Sequence, residues 1–166
     1  MPVIVNLKAI YHIIQDHFNY LNRIDASSRP QERSGEIKPG SVVMTLPEMD
    51  RDLYFVHDVL SITNNAGVGA WIHYHRDDDG WIDDAARAYH AIGHHQAADG
   101  ILAARDHYDH HAPHLDNVDF SPFDDNIMCE DEAICRSLYQ HLTSRHFLFR
   151  GQEQPVSQHK ETTQRE

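Results

Sequence analysis

Apolar residues recur at intervals of three and four positions along most of this chain, and that interval places them on one face of an α-helix. Alternation of apolar and polar residues, the pattern of a half-buried strand, occurs nowhere at useful length. The sequence therefore predicts an all-α fold, a compact bundle of about six helices. The predicted helices cover residues of about 3–23, 45–63, 68–75, 81–92, 94–111 and 128–146.

The segments between these helices contain residues that start or end helices. Thr45-Leu46-Pro47-Glu48 matches a capping box with proline in the first turn, which predicts the start of the second helix. Gly93 is placed to end the fourth helix in a left-handed conformation. We predict a single helical domain over residues 1–150, with a long loop at about 24–44, an irregular connector at 114–125 and a disordered tail at 151–166.

Negative charge is concentrated in the middle of the chain. The formal net charge is −12, and residues 45–135 hold 4 Arg and no Lys against 19 Asp+Glu. Residues 1–44 and 136–166 are slightly basic. Direct binding to a nucleic-acid backbone requires the opposite sign of charge, so the composition argues against that role. A basic protein is the natural complement of such a surface.

Twelve acidic residues around the predicted helix starts form our candidate partner-binding face. Negative charge at a helix start is also favoured by the helix dipole, by about 0.3–1 kcal/mol per site, so each residue has a purely structural alternative. That alternative does not explain the total, because Ser or Asn satisfies a helix start without net charge. The candidates are Asp77, Asp78, Asp79, Asp83, Asp84, Asp116, Asp119, Asp124, Asp125, Glu130, Asp131 and Glu132.

The 15 histidines offer a metal-binding alternative. His90 and His94 are four residues apart on a predicted helix, and the segment His73-Tyr74-His75 followed by Asp77 partly matches a metal motif of hydrolases. The second half of that motif is absent, and no HExxH occurs. We predict no metal and no cofactor. The alternative is a metal-binding protein or metal-dependent hydrolase that uses the His/Asp cluster at 73–95.

Motifs of other enzyme classes are absent from the chain. No GxSxG, P-loop or GxGxxG occurs. Cys129 and Cys135 form no CxxC, and Cys129 has no cationic neighbour in sequence that would activate its thiol. We therefore predict a protein that is not an enzyme.

The sequence also bears on location and assembly. No stretch approaches the roughly 18 apolar residues of a membrane span, and the N-terminus lacks the features of a signal peptide. With no disulfide framework, we predict a cytoplasmic protein with reduced thiols. The sequence leaves open whether Trp71 and Trp81 lie in the core or at the seam of a homodimer.

Residues 58–108 contain a series of scaffold motifs. An Asn65-Ala66-Gly67 turn is followed by an aromatic helix from Val68 to Tyr74, an Ala-rich helix that ends in Ile92-Gly93, and another helix from Ala97 to Tyr108. This series resembles an uncharacterised bacterial all-helical domain family, one member of which is an acidic DNA-mimic protein. The chain departs from the family pattern at two positions, since Ala66 replaces the usual first glycine and Gly69 is additional.

The resemblance implies a strongly acidic, dimeric, non-enzymatic protein whose surface carboxylates stand in for DNA phosphates. Our leading hypothesis is thus a protein that binds and inhibits a basic DNA- or RNA-binding protein, such as a transcription factor, a nuclease or a phage-defence complex. We expect salt to weaken this binding. Protonation of histidines near pH 6 should weaken it too, because it cancels negative charge. The remaining alternative is a stable helical domain whose acidic surface only keeps it soluble.

Overall fold

The computed structural model describes residues 6–28, 43–78, 80–112, 118–128 and 131–149. The predicted all-α class is confirmed, and no strand occurs within these ranges. They form a short 3-10 turn at Val43–Thr45 and seven α-helices: α1 (Leu7–Ser28), α2 (Glu48–Ala66), α3 (Val68–His75), α4 (Trp81–Ala91), α5 (His95–His111), α6 (Ser121–Met128) and α7 (Asp131–Ser144).

Helix α2 lies at the centre of the bundle. Every residue from Asp52 to Leu60 is buried, because helices α1, α3, α4, α6 and α7 all pack against α2. Helix α7 runs antiparallel to α2, since Asn64 contacts Asp131 at one end and Asp52 lies beside His141 at the other. A helix surrounded in this way is expected to be apolar all round. The polar residues that α2 places in the core therefore need partners there.

Both tryptophans lie in the core of the single chain. Trp71 is 0% exposed and Trp81 is 2% exposed. The ring of Trp81 packs edge-on against Phe55, with centroids 4.9 Å apart, and Tyr54 lies on the same side. Neither indole is available to a homodimer seam.

The prediction for the first two helix boundaries was partly wrong. Helix α1 continues to Ser28, so the predicted loop at 24–44 starts too early; residues 29–42 lie outside the described residues. The sequence contains no glycine or proline between the predicted helix end and Pro30, so nothing stops the helix earlier. A proline disfavours the helical conformation of the residue before it, which explains why the helix ends near this position. Thr45 does not cap α2, because it belongs to the 3-10 turn closed by the Leu46 amide and the Val43 carbonyl.

The predicted connector at 114–125 contains the start of a helix. Helix α6 begins at Ser121, and α7 begins at Asp131 rather than at about 128. The segment from His114 to Asp125 is rich in polar residues and contains Pro122, which favoured a loop, but proline is tolerated in the first turn of a helix, where Pro122 lies. Packing supplies its stability: Ile127 is fully buried, and Phe123 packs against the core. The predicted tail at 151–166 lies outside the described residues.

Two further observations concern the chain as a whole. Gly93 has a φ of 86°, which confirms the predicted left-handed end of α4. Within the described ranges, none of the helices combines the length and the apolar character needed to cross a bilayer.

Candidate acidic interface

The structure separates the predicted acidic residues by exposure. Nine of the twelve lie in the described part of the chain, and Asp79, Asp116 and Glu130 lie outside it. Asp78, Asp84, Asp124 and Asp131 are only partly exposed. The five with exposed side chains are Asp77, Asp83, Asp119, Asp125 and Glu132.

A single arginine joins two exposed carboxylates across α4 and α5. Arg105 Nη1 donates to Asp83 Oδ1 at 2.7 Å, and its Nη2 donates to Asp106 Oδ1 at 3.1 Å. The side chains of Asp83 and Asp106 are 69% and 71% exposed. One guanidinium therefore holds two carboxylates close together and leaves the set with a net negative charge.

Further exposed carboxylates lie on segments that contact α5. Asp77 is 89% exposed, and its Oδ2 lies 3.5 Å from Nε of Arg76, whose Nη1 donates to the Tyr108 hydroxyl on α5 at 3.0 Å. At the other side, Phe120 packs against the His107 ring on α5, which places Asp119 beside the same half of that helix. We call the exposed carboxylates of Asp77, Asp83, Asp106, Asp109 and Asp119 the acidic band.

The twelve residues predicted from the sequence do not include Asp106 and Asp109, which the structure shows to be exposed. A signal was present, because Asp99, Asp106 and Asp109 are separated by seven and three residues, the spacing of one helix face. All three side chains are exposed on α5. The predicted residues all lie near helix starts, whereas this face lies within α5.

Asp119 is held in its charged form. Hydrogen bonds from the side chain and the backbone amide of Ser121 lower the pKa of Asp119, and the amide lies 2.9 Å from its Oδ1. The same contact caps the start of α6, so this residue has a structural role as well.

The partly exposed candidates are engaged inside the fold. Asp124 Oδ1 accepts the backbone amide of Val68 at 2.6 Å, and Asp131 Oδ2 accepts Nδ2 of Asn64 at 2.7 Å. Asp84 Oδ1 accepts Nε of Arg87 at 3.1 Å, and Asp78 Oδ2 lies 3.0 Å from Nδ1 of His75. The contacts of Asp124 and Asp131 join different helices, those of Asp84 and Asp78 are local, and all four carboxylates are less available to a partner.

Two further acids are buried on α2 and add nothing to the surface. Burial raises the pKa of Asp52, although Arg87, whose Nη1 donates to Asp52 Oδ1 at 3.0 Å, opposes that rise. Asp58 Oδ2 accepts Nε1 of Trp71 at 2.8 Å and lies 3.2 Å from Nε2 of His75. Part of the excess of acidic residues in the middle segment is therefore buried. The polar partners of these two carboxylates offset the cost of burying them.

The histidines of the metal-binding alternative do not converge. His73 Nδ1 lies 2.6 Å from the Tyr108 hydroxyl, and His75 lies between Asp58 and Asp78. His90 contacts His95, and His94 Nε2 lies 3.0 Å from the Ser137 hydroxyl. In the described part of the chain, no group of three or more His, Cys, Asp or Glu residues is arranged to hold a metal ion.

A helical bundle with a strong excess of acidic residues is the class of protein that these observations define. The chain belongs to the DMP19-like protein family, whose sequence model matches residues 44–145. The match includes residues 58–108, on which the resemblance to a helical bacterial family rests, and leaves α1 outside. No curated protein and no solved structure matches the chain.

Proposed function

We propose that this protein is a DNA mimic that binds a basic nucleic-acid-binding protein and blocks its nucleic-acid site. The observation that supports this most directly is the acidic band: Asp83 on α4 and Asp106 on α5 share Arg105, and Asp77, Asp109 and Asp119 are exposed on α5 or on segments next to it. The family supports it as well, since DMP19 is a DNA mimic protein.

The physical basis is the charge pattern of duplex DNA. The duplex carries one negative charge per about 1.7 Å of its axis, and proteins contact those charges with Lys and Arg. A row of surface carboxylates gives the same side chains an alternative set of acceptors. Arg105 holds the carboxylates of Asp83 and Asp106 side by side, and it also neutralises part of their charge.

The partner class follows from the chemistry of the band. A DNA-binding protein that neutralises several phosphates, such as a transcription factor, a nuclease or a subunit of a phage-defence complex, has the required cationic groove. Inhibition is then competition for that groove, and no catalytic group is needed.

Affinity capture from the lysate of the native host, with elution by increasing salt, tests the proposal. The captured protein should be basic, and elution should occur between about 50 and 300 mM salt, because paired surface charges are screened over this range. Duplex DNA labelled with a fluorophore should be displaced from the captured protein by this chain in a 1:1 titration. Capture of only neutral or acidic proteins, or simultaneous binding of DNA and this chain, would contradict the proposal.

A pair of triple variants separates the acidic band from net charge. Asp77→Asn, Asp83→Asn and Asp106→Asn together remove three negative charges from the band. The control, with Asp16→Asn, Glu48→Gln and Glu132→Gln, removes three exposed charges on α1, α2 and α7. The band variant should lose partner binding and the control should keep most of it. Equal losses would show that net charge, and not this surface, determines binding.

A further inference from the structure

The turn between α4 and α5 brings two exposed imidazole rings together. His90 lies in the last turn of α4, and His95 is the first residue of α5. Their Nδ1 atoms are 2.6 Å apart, and both residues are exposed. Backbone hydrogen bonds close the turn, from the Gly93 amide to the His90 carbonyl and from the His94 amide to the Tyr89 carbonyl. The fold therefore fixes the backbone positions of both histidines.

A carboxylate decides which nitrogen of His90 carries the proton. Asp99 Oδ1 lies 3.6 Å from Nε2 of His90. A negative charge beside Nε2 favours the tautomer in which this nitrogen is protonated, and Nδ1 then directs a bare lone pair towards His95. Without an ion, Nδ1 of His95 donates a proton to that lone pair. A metal ion can replace this proton, because Nε2 of His95 can carry it instead.

The spacing of the two nitrogens suits a metal ion after a small movement. Two imidazole nitrogens bound to one tetrahedral ion, each at about 2.0–2.1 Å, are about 3.3 Å apart. The Nδ1 atoms of His90 and His95 therefore need to separate by about 0.7 Å from their distance of 2.6 Å. Because both residues are exposed, rotation of their side chains supplies this movement without repacking the core.

The electrostatic surroundings of the pair fit a cation. The last turn of α4 carries the negative end of a helix dipole and the first turn of α5 carries the positive end, so the two contributions offset each other. The carboxylate of Asp99 adds a negative charge next to His90. A carboxylate that orients a metal-binding histidine through its other ring nitrogen is a common arrangement in metalloproteins.

Other histidine pairs of α4 and α5 lack this arrangement. His94, which lies four residues after His90, directs its Nε2 to the Ser137 hydroxyl. The rings of His107 and His111 are 4.4 Å apart, but Nδ1 of His111 donates to the His107 carbonyl and Nε2 of His107 is buried. These nitrogens are engaged or inaccessible, so neither pair offers two ring nitrogens to one ion.

We propose that His90 and His95 bind a divalent transition-metal ion of the class that prefers imidazole, such as Zn²⁺ or Cu²⁺, through their Nδ1 atoms. Asp99 is a positioning residue that sets the tautomer of His90. Water completes the coordination, since the described part of the chain contains no group of three ligands. Asp83 and Asp106 lie towards the opposite ends of α4 and α5, so the proposal does not depend on DNA mimicry.

Calorimetric titration of the full chain, purified without a tag, tests the proposal at pH 7.5. Zinc chloride should bind with a Kd of about 10 μM, weaker than a four-ligand structural zinc site because only two ligands are supplied. Magnesium chloride should not bind at this pair, because Mg²⁺ prefers oxygen ligands. Absence of zinc binding up to about 1 mM, or equal binding of the two ions, would overturn the proposal.

Single variants locate the zinc among the 15 histidines of the chain. His90→Gln and His95→Gln each remove one ligand from an exposed position, and each should weaken the tightest zinc binding by at least about tenfold. His110→Gln removes an exposed imidazole of α5 outside the pair and is the matched control, with unchanged affinity expected. An unchanged affinity in either variant of the pair, or an equal loss in the control, would place the ion elsewhere and reject the proposal.

NMR of the chain labelled with ¹⁵N in its histidines identifies the ligating atoms. Zinc should shift the Nδ1 resonances of His90 and His95, which are assigned by their absence from the spectra of the two variants. Shifts confined to the Nε2 atoms or to other histidines would contradict the proposal. Asp99→Asn should weaken zinc binding by up to about tenfold and raise the share of His90 protonated at Nδ1. If neither quantity changes, the positioning role of Asp99 is wrong.

Discussion

Asp124 caps helix α3 from a distant part of the chain, because its Oδ1 accepts the backbone amide of Val68 at 2.6 Å. Gly67, which precedes that amide, has a φ of 82° and joins α2 to α3. The carboxylate therefore satisfies a helix-start donor that the turn itself leaves without a side-chain cap. An acid that the sequence suggests for a binding face is thus required inside the fold.

Replacing this cap should destabilise the protein. Asp124→Ala removes the acceptor for the Val68 amide and is expected to lower the free energy of unfolding by about 1–2 kcal/mol. The melting temperature should fall by about 3–6 °C, measured by circular dichroism. Asp125→Ala, at the exposed neighbouring position, is the matched control and should change stability by less than about 0.5 kcal/mol. Equal effects of the two substitutions would remove the capping role.

Gly69 allows α3 to approach Phe120 closely. A Cβ at this position would lie 2.7 Å from the Phe120 ring, which is closer than packed atoms tolerate. Gly69→Ala should therefore lower the unfolding free energy by about 1–3 kcal/mol, although alanine favours a helix intrinsically. In a Phe120→Ala background, which removes the contacting ring atoms, Gly69→Ala should cost much less than it does in the original protein. A loss that persists in full in the double variant would show that the contact is not its cause.

These two positions show what the sequence reveals and what it conceals. Periodicity places α3, α4 and α5 well, because each buries a regular apolar face. Periodicity does not show that the Asp124 carboxylate binds the Val68 amide or that Gly69 packs against the ring of Phe120. Both contacts depend on tertiary packing. Helix α6 was missed for the same reason, since its stability comes from the contacts of residues such as Ile127 and not from its own eight residues.

The sequence predicts an acidic segment but does not predict which of its carboxylates are exposed, and the reason is again tertiary packing. Charge composition identifies an acidic segment but gives no information on which carboxylates are satisfied internally. Asp52 and Asp58 are buried on α2, and Asp106 becomes part of a surface cluster only because Arg105 connects it to Asp83. Packing between helices decides which carboxylates are buried and which lie together at the surface, and no local pattern in the sequence encodes that packing.

Stability should fall below pH 6.5 because of His57. Its pKa is lowered to about 4 by burial, whereas the unfolded chain takes up the proton near the ordinary value of 6.5. The unfolded state therefore binds more protons in this window, and stability is lost as the pH falls from about 6.5 towards 4, by about 3 kcal/mol in total. Urea denaturation at intervals from pH 7.5 to 5.5 measures the upper part of this slope.

His57→Gln is the variant that tests this assignment. Gln cannot take up the proton, so the slope of unfolding free energy against pH should become shallower by up to about 1.4 kcal/mol per pH unit. The raised pKa values of Asp52 and Asp131 act with the opposite sign, since those carboxyl groups bind protons more readily in the folded state. The measurement above pH 5.5 limits their contribution. An identical slope in the variant and the original protein would show that other groups cause the acid sensitivity.

Removing Arg105 should strengthen partner binding, which is the opposite of removing a carboxylate. Arg105→Gln frees the carboxylates of Asp83 and Asp106 and adds one negative charge to the acidic band. The affinity for the basic partner should rise at 50 mM salt, and the dependence of affinity on salt should become steeper, because more charge is available for pairing. The cost in stability should stay below about 1 kcal/mol, since both ion pairs are exposed. Arg136→Gln is the matched control, as it frees Glu132 outside the band with the same change in net charge. If this control raises the affinity equally, the partner responds to total charge and the acidic band is not its binding surface.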